Sequence, residues 1–143
     1  MPTHRRTALR EVVAAIYGVL NVASLTDVAA GGVHHGAAAV NELRDYVLIQ
    51  APTAVAWDAM QSPGEESLVS IAAVTLKPDY GQALALIAVC VQLLDGARPA
   101  MTNHLCVALR WLQTTTVQEP ELINNVPTWR AVAQFRVLVD QIS

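Results

Sequence analysis

The chain has 143 residues, of which 53% are hydrophobic and 15% are charged, and its formal net charge is −3. This composition is too apolar for a disordered chain, yet the longest apolar stretch, residues 83–94, is too short to span a bilayer. The nine basic residues are scattered, so no cluster predicts nucleic-acid binding. We expect one domain over residues 1–143, without disulfides and without a membrane partner.

The first predicted element is a helix from about Thr7 to Val22. Apolar residues recur there at the i, i+3, i+4 spacing of one helical face, and Thr7 is suited to the N-cap position. One further turn is expected over residues 27–30, before the glycine pair Gly31-Gly32 ends it.

A β-hairpin is predicted next. Residues 45–50 have the β-branched and aromatic content of a strand, which could continue past a break near Pro52 to Trp57, and residues 67–76 form its partner. Residues 61–66 are predicted to be the connecting loop because they contain Pro63-Gly64. Neighbouring carboxylates in such a loop, Glu65 and Glu66, are expected to be solvated.

A second helix is predicted between Asp79, as N-cap with Gln82 three residues later, and Gly96 at the C-terminal end. It is apolar nearly all round, which indicates cover on more than one side.

The last third of the chain alternates with period two, which predicts two strands with one face in a core. The residues predicted to share a face are Leu105, Val107, Leu109 and Trp111 in the first strand and Trp129, Ala131, Ala133, Phe135, Val137 and Val139 in the second. The predicted fold class is therefore α+β: an antiparallel sheet of about four strands, as two hairpins, with two main helices packed on it in the order α-β-β-α-β-β.

The sequence offers little chemistry. His34-His35 are neighbours that point apart on an extended segment, and His104 with Cys106 gives only two ligands where a metal needs three or four. Cys90 and Cys106 lie in apolar runs, as buried free thiols do. We predict no catalytic residue, no metal, no cofactor and no enzyme, although a small α+β ligand-binding domain or enzyme with a histidine in a pocket stays open.

Several strings resemble the tail-terminator, or tail-completion, family of long-tailed bacteriophages. They are the opening helix Ala8-Leu9-Arg10-Glu11-Val12-Val13-Ala14-Ala15-Ile16-Tyr17, the turn Gly32-Val33-His34-His35-Gly36, the strand Asp45-Tyr46-Val47-Leu48-Ile49, the helix start Asp79-Tyr80-Gly81-Gln82-Ala83 with its end Leu93-Leu94-Asp95-Gly96, and the strand Ala133-Gln134-Phe135-Arg136-Val137. Their order and spacing, over nearly the whole chain, carry the resemblance.

The resemblance implies a structural virion protein. Its members form a homo-hexameric ring that caps the tail tube, ends its polymerisation and provides the head-tail joining surface. The implied partners are copies of the chain, the major tail tube protein and a head completion or connector protein, while DNA passes through without sequence-specific binding. The implied location is the head-proximal end of the tail, assembled in the host cytoplasm. Another neck or connector ring component is the alternative.

Four residues are candidates for contacts in such a ring: Trp57, Met60, Glu65 and Glu66. The loop from Met60 to Glu66 is hypothesised to be an assembly surface. Alternatively, Glu65 and Glu66 face the channel, where negative charge would repel passing DNA. Trp57 lies next to the hairpin and is either core or an interface anchor, since tryptophan is enriched at hot spots.

Overall fold

A computed structural model of the chain describes residues 7–36, 44–57, 63–76, 80–118 and 128–142. These residues form three helices and six strands. In chain order the elements are α1 (Leu9–Leu20), α2 (Ala23–Thr26), β1 (Val33–His35), β2 (Tyr46–Ile49), β3 (Thr53–Ala56), β4 (Gly64–Thr75), α3 (Gly81–Leu94), β5 (His104–Gln118) and β6 (Trp129–Gln141).

All six strands belong to one mixed sheet. Five of them follow the order β1-β2-β4-β6-β5, and β3 pairs with β4 outside this path. The long strand β4 pairs with β6 on one side, and on its other side with β2 and β3, which lie end to end along it. Every pair is antiparallel except β1 with β2. β3 and β5 therefore lie on opposite sides of the β4–β6 pair.

The predicted four-stranded antiparallel sheet with two helices is wrong, because the described residues contain six strands in a mixed sheet and three helices. One strand was missed, β1, which has three residues and is too short to show alternation. β3 was expected as a continuation of the preceding strand, but it is a separate strand. The predicted loop at 61–66 also ends early, since β4 begins at Gly64.

The helices cover one face of the sheet. α1 buries Val12, Ile16 and Leu20, which is the single stripe that the spacing predicts. α3 packs against β4, β5 and β6 and also touches α1, so it is covered on more than one side, as predicted. Its end is also as predicted, because Gly96 has φ +81°, a conformation that glycine adopts without strain. None of the described helices has the length and apolar character needed to cross a bilayer.

The two last strands differ in how far their alternation holds. In β6, Ala131, Ala133, Phe135, Val137 and Val139 are all fully buried under the helices, which confirms the predicted core face. In β5 the register shifts at Val107 and again at Leu112.

Each shift is a β-bulge that moves the following side chains to the other face. Before the first shift His104 and Cys106 lie on the core face and are buried, while Leu105 lies on the opposite face and is 56% exposed. After it Leu109 and Trp111 pair with Val137 and Phe135 on the core face, where Leu109 is buried and Trp111 is 44% exposed. The prediction that Leu105, Val107, Leu109 and Trp111 share a core face is therefore wrong for Leu105 and for the bulge residue Val107, while Leu109 and Trp111 do lie on one face.

The sheet face opposite the helices, here called the outer face, has a buried and an open part. A small cluster of Tyr46, Leu48, Ala72 and Val74 is buried on it. Towards the other end of β4, however, Leu68 is 47% exposed.

Candidate assembly site

The hairpin of β3 and β4 carries three of the four candidate residues. Trp57 follows β3, is half-buried, and donates its backbone N–H to the carbonyl oxygen of Gly64 at 2.8 Å. Met60 lies outside the described residues. Gly64 has no room for a side chain, because a Cβ there would overlap the Trp57 carbonyl oxygen and lie 2.7 Å from that of Val139. The end of β3, the start of β4 and the end of β6 therefore approach each other closely at position 64 because this residue is glycine.

Glu65 is a structural residue at the start of helix α1. It is 7% exposed, and its Oε2 accepts the backbone N–H of Ala8 at 2.9 Å and lies 3.5 Å from the Thr7 hydroxyl. Ala8 is the N-cap residue and makes no side-chain cap hydrogen bond. The Glu65 carboxylate accepts the backbone N–H of this N-cap residue, as the glutamate of a capping box does, at the helix end where the dipole favours negative charge. The expectation that Glu65 is solvated is wrong, and Thr7 lies just before the cap.

Glu66 lies on the outer face. Its Oε2 is 3.3 Å from Nη2 of Arg136, with the two side chains 28% and 44% exposed, so this ion pair is weak. Because neighbouring residues of a strand point to opposite faces, Glu65 and Glu66 cannot line one channel wall together.

Large apolar side chains are exposed near this hairpin and on β5. Val55 of β3 is 63% exposed, Leu68 projects beside it in register with Thr53, and Leu112 of β5 is 48% exposed. Trp111 is fixed on the surface, because its indole N–H donates to the Thr114 hydroxyl at 2.9 Å. Sequence reasoning missed the β5 residues since it assigned Leu105 and Trp111 to the core.

The histidines of the described residues are held by structural contacts. Nε2 of His34 lies 2.7 Å from the Gly31 carbonyl oxygen, and its ring stacks edge-on against Tyr46. The ring of His35 packs edge-on against Tyr17 of α1 and lines a surface cavity of 470 Å³ beside Leu9, Arg10, Val13, Ala14 and Pro52.

His104 is buried against Glu11 of α1. Nδ1 of His104 lies 2.7 Å from Glu11 Oε2, and the backbone N–H of Asn103 donates to Oε1 at 2.7 Å. Burial by itself raises the pKa of Glu11, but the Asn103 N–H and the His104 ring outweigh it and hold that pKa below its ordinary 4.5. The Glu11–His104 contact thereby links helix α1 to the start of β5.

A second surface cavity, of 520 Å³, lies beside His104 and is lined by Arg98, Met101, Cys106, Asp140 and other residues of β5 and the preceding loop. Burial raises the pKa of the Cys106 thiol, although Arg98 opposes this shift, so the thiol is a poor nucleophile. Among the described residues no three histidines, cysteines or carboxylates converge on a possible metal position. The described residues thus offer exposed apolar surfaces and structural contacts between elements.

Comparison with known proteins gives a family over nearly the whole length. The sequence model of the family Tail completion protein gp17 matches residues 7–140. The chain belongs to this family. Membership confirms the resemblance drawn from the sequence and makes the chain a virion tail component of a phage-type particle. No curated protein sequence matches it significantly.

Solved structures add the fold of this tail completion family member. Sixteen chains match it, among them a chain of the "Virion of native gene transfer agent (GTA) particle". That chain is 20% identical, with a TM-score of 0.80, and the alignment covers 94% of this chain and 99% of the other. At this identity the likeness establishes a shared fold over the full length.

Proposed function

We propose that this tail completion protein forms a homo-hexameric ring on the head-proximal end of the tail tube. The ring ends tube polymerisation and presents the surface to which the filled head is joined. Its partners are neighbouring copies, the major tail tube protein and a head completion or connector protein, and DNA passes through it without sequence-specific contacts.

The observation that carries this proposal is the family match over residues 7–140. The full-length likeness to a chain of a virion particle supports it. The exposed apolar side chains of β3 and β5 also fit, because a ring closes through two different surfaces on each subunit and such surfaces are buried only on assembly.

The proposal is tested by imaging particles from producing cells that lack this chain. The expected result is tails of uncontrolled, excessive length that carry no heads, with normal particles restored by the wild-type gene. Tails of normal length that lack heads would instead favour a neck or connector ring component. Normal particles without the chain would refute both.

Charge reversal at Glu66 tests the outer face of the hairpin. In Glu66→Lys the surface pair with Arg136 is lost, which costs about 0–1 kcal/mol, so the melting temperature of the isolated chain should change little. We expect the yield of infectious or DNA-delivering particles to fall, because the new lysine adds to the positive charge of Arg136 and Arg110, which lie opposite each other.

The matched control is Asp27→Lys, an equal charge change at an exposed position on the helix side. Particle yield should be unchanged in the control. If Glu66→Lys also assembles and delivers DNA normally, Glu66 has neither an assembly role nor a channel role.

A further inference from the structure

The outer edge of β5 has a protected half and an open half. In the first half, the Leu109 carbonyl accepts the N–H of Gly96 at 2.8 Å, and the Trp111 N–H donates to Asp95 Oδ1 at 3.0 Å. These two bonds show that Leu109 and Trp111 direct their backbone groups away from β6. The end of α3 thus covers this part of the edge.

Beyond the bulge at Leu112 the edge has no such cover within the described residues. The backbone groups of successive strand residues point alternately towards and away from the neighbouring strand. Because the bulge adds one residue after Trp111, the next residues whose backbone groups point away from β6 are Thr114 and Thr116. The sequence over residues 111–118 contains no charge, proline or glycine. Natural edge strands usually carry charges or prolines to prevent pairing with another chain, and their absence here fits an edge that pairs with another strand on assembly.

A second open edge lies on the opposite side of the sheet. In β3, the N–H of Trp57 bonds Gly64, so by the same alternation the backbone groups of Ala54 and Ala56 point away from β4. These residues, 53–56, are also uncharged, and in the described part of the chain no strand pairs with their outer side.

We propose that residues 112–118 of one subunit pair, as an antiparallel strand, with β3 of a second copy of this chain. Thr115 then lies opposite Val55, with Thr114 opposite Ala56 and Thr116 opposite Ala54. This pairing rests on the proposed ring function and adds detail to it. It supplies the head-to-tail contact between subunits that a ring needs.

Three features are compatible with this pairing. The outward groups of Thr114 and Thr116 have the same two-residue spacing as those of Ala54 and Ala56, which gives two hydrogen-bonded pairs. Thr115 and Val55 both project from the outer face, since their register partners are Val132 and Glu66.

Strand direction is the third. β3 is antiparallel to β4, β4 to β6 and β6 to β5, so β3 runs opposite to β5. A neighbouring copy related by rotation about a ring axis therefore presents its β3 antiparallel to this β5. The antiparallel alternation of strands therefore continues across the contact from one subunit to the next.

The displacement of Val55 and Thr115 along the strand direction within one subunit also fits a closed ring of strands. Val55 is level with Leu138 of β6, and Thr115 is level with Val132, a stagger of about six residues or ~20 Å along the strands. Across the four strands from β3 to β5, about 19 Å wide, this gives a tilt of about 45°, at the upper end of the range for closed sheets.

Disulfide trapping tests the pairing. Thr115 opposite Val55 is a non-hydrogen-bonded pair, whose Cα atoms lie about 4.5 Å apart, a distance that a disulfide spans. The double variant Val55→Cys/Thr115→Cys should form a ladder of covalent multimers on oxidation, both as the concentrated full chain and in particles from producing cells. The native cysteines are buried and do not interfere.

The matched controls separate this pairing from random contact. Each single variant should stay monomeric, and a mixture of the two singles should give covalent dimers only. Val55→Cys/Arg110→Cys places the second thiol on the same strand and outer face, level with the edge that α3 covers, and should give no ladder. If the first double variant gives no more multimer than this control in solution and in particles, the pairing is refuted, while the tail phenotype still decides the proposed function.

Discussion

Replacing Glu11 with alanine is expected to lower the free energy of unfolding by about 3 kcal/mol at neutral pH, since each hydrogen bond to a charged group contributes about 1.5–3 kcal/mol. The substitution removes the carboxylate that accepts the Asn103 N–H and contacts the buried His104 ring. Glu11→Gln keeps a neutral oxygen for one of these donors and should lose less. Urea unfolding of the isolated chain measures both differences.

The effect of Glu11 should depend on pH in a defined direction. Its pKa is lowered in the folded chain, so its stabilising contribution is present above the ordinary value of 4.5 and is lost as the pH falls through the lowered folded value. The difference between wild type and Glu11→Ala should therefore shrink on acidification. Asp27→Ala removes an exposed carboxylate as a control, and equal losses in the two variants would contradict the role of the Glu11 pair.

Replacing Phe135 with alanine should cost about 3–5 kcal/mol, the usual loss for a buried phenylalanine. Phe135 is fully buried at the centre of the sheet, in register with Val69 and Trp111. A loss of this size is a large share of the ~5–15 kcal/mol by which such domains are stable. Particle yield should fall with the amount of folded chain.

The control for Phe135→Ala is Leu68→Ala, which truncates a large apolar residue of the neighbouring strand on the outer face. Leu68 is half-exposed, so its loss should change the free energy of unfolding by only about 0.5 kcal/mol. Thermal melts of both variants provide the comparison. Similar costs would contradict the assignment of Phe135 to the core and of Leu68 to the half-exposed face.

The alternation of β6 could be predicted because the strand pairs with β4 residue by residue, without a register shift. Period two then holds along the whole strand, and its inward side chains are read directly from the sequence. The same reasoning failed on β5, where the bulges at Val107 and Leu112 change the face without leaving a glycine or proline in the pattern. Helix α1 was predictable to within two residues since its apolar stripe is narrow.

The candidate site was harder to predict than the fold elements. Glu65 bonds the N-cap residue of helix α1, Ala8, which lies 57 residues earlier in the chain, and no local pattern encodes such a contact. The short strand β3 has too few residues for a period to be visible, so its free edge had no sequence signal. Family resemblance was found because it depends on the order of many elements, which single misassigned faces do not disturb.

The position of β6 in the sheet also bears on how the protein is made. This strand lies between β4 and β5 and supplies five fully buried core residues, yet it follows all the other described elements in sequence. Until its residues are available, β4 has no partner along one side and the helices have no complete sheet to cover. Folding must therefore wait for long-range pairing, which is slow, and the two open edges come into being together only in finished subunits. Synthesis order would in this way keep incomplete chains out of the growing particle.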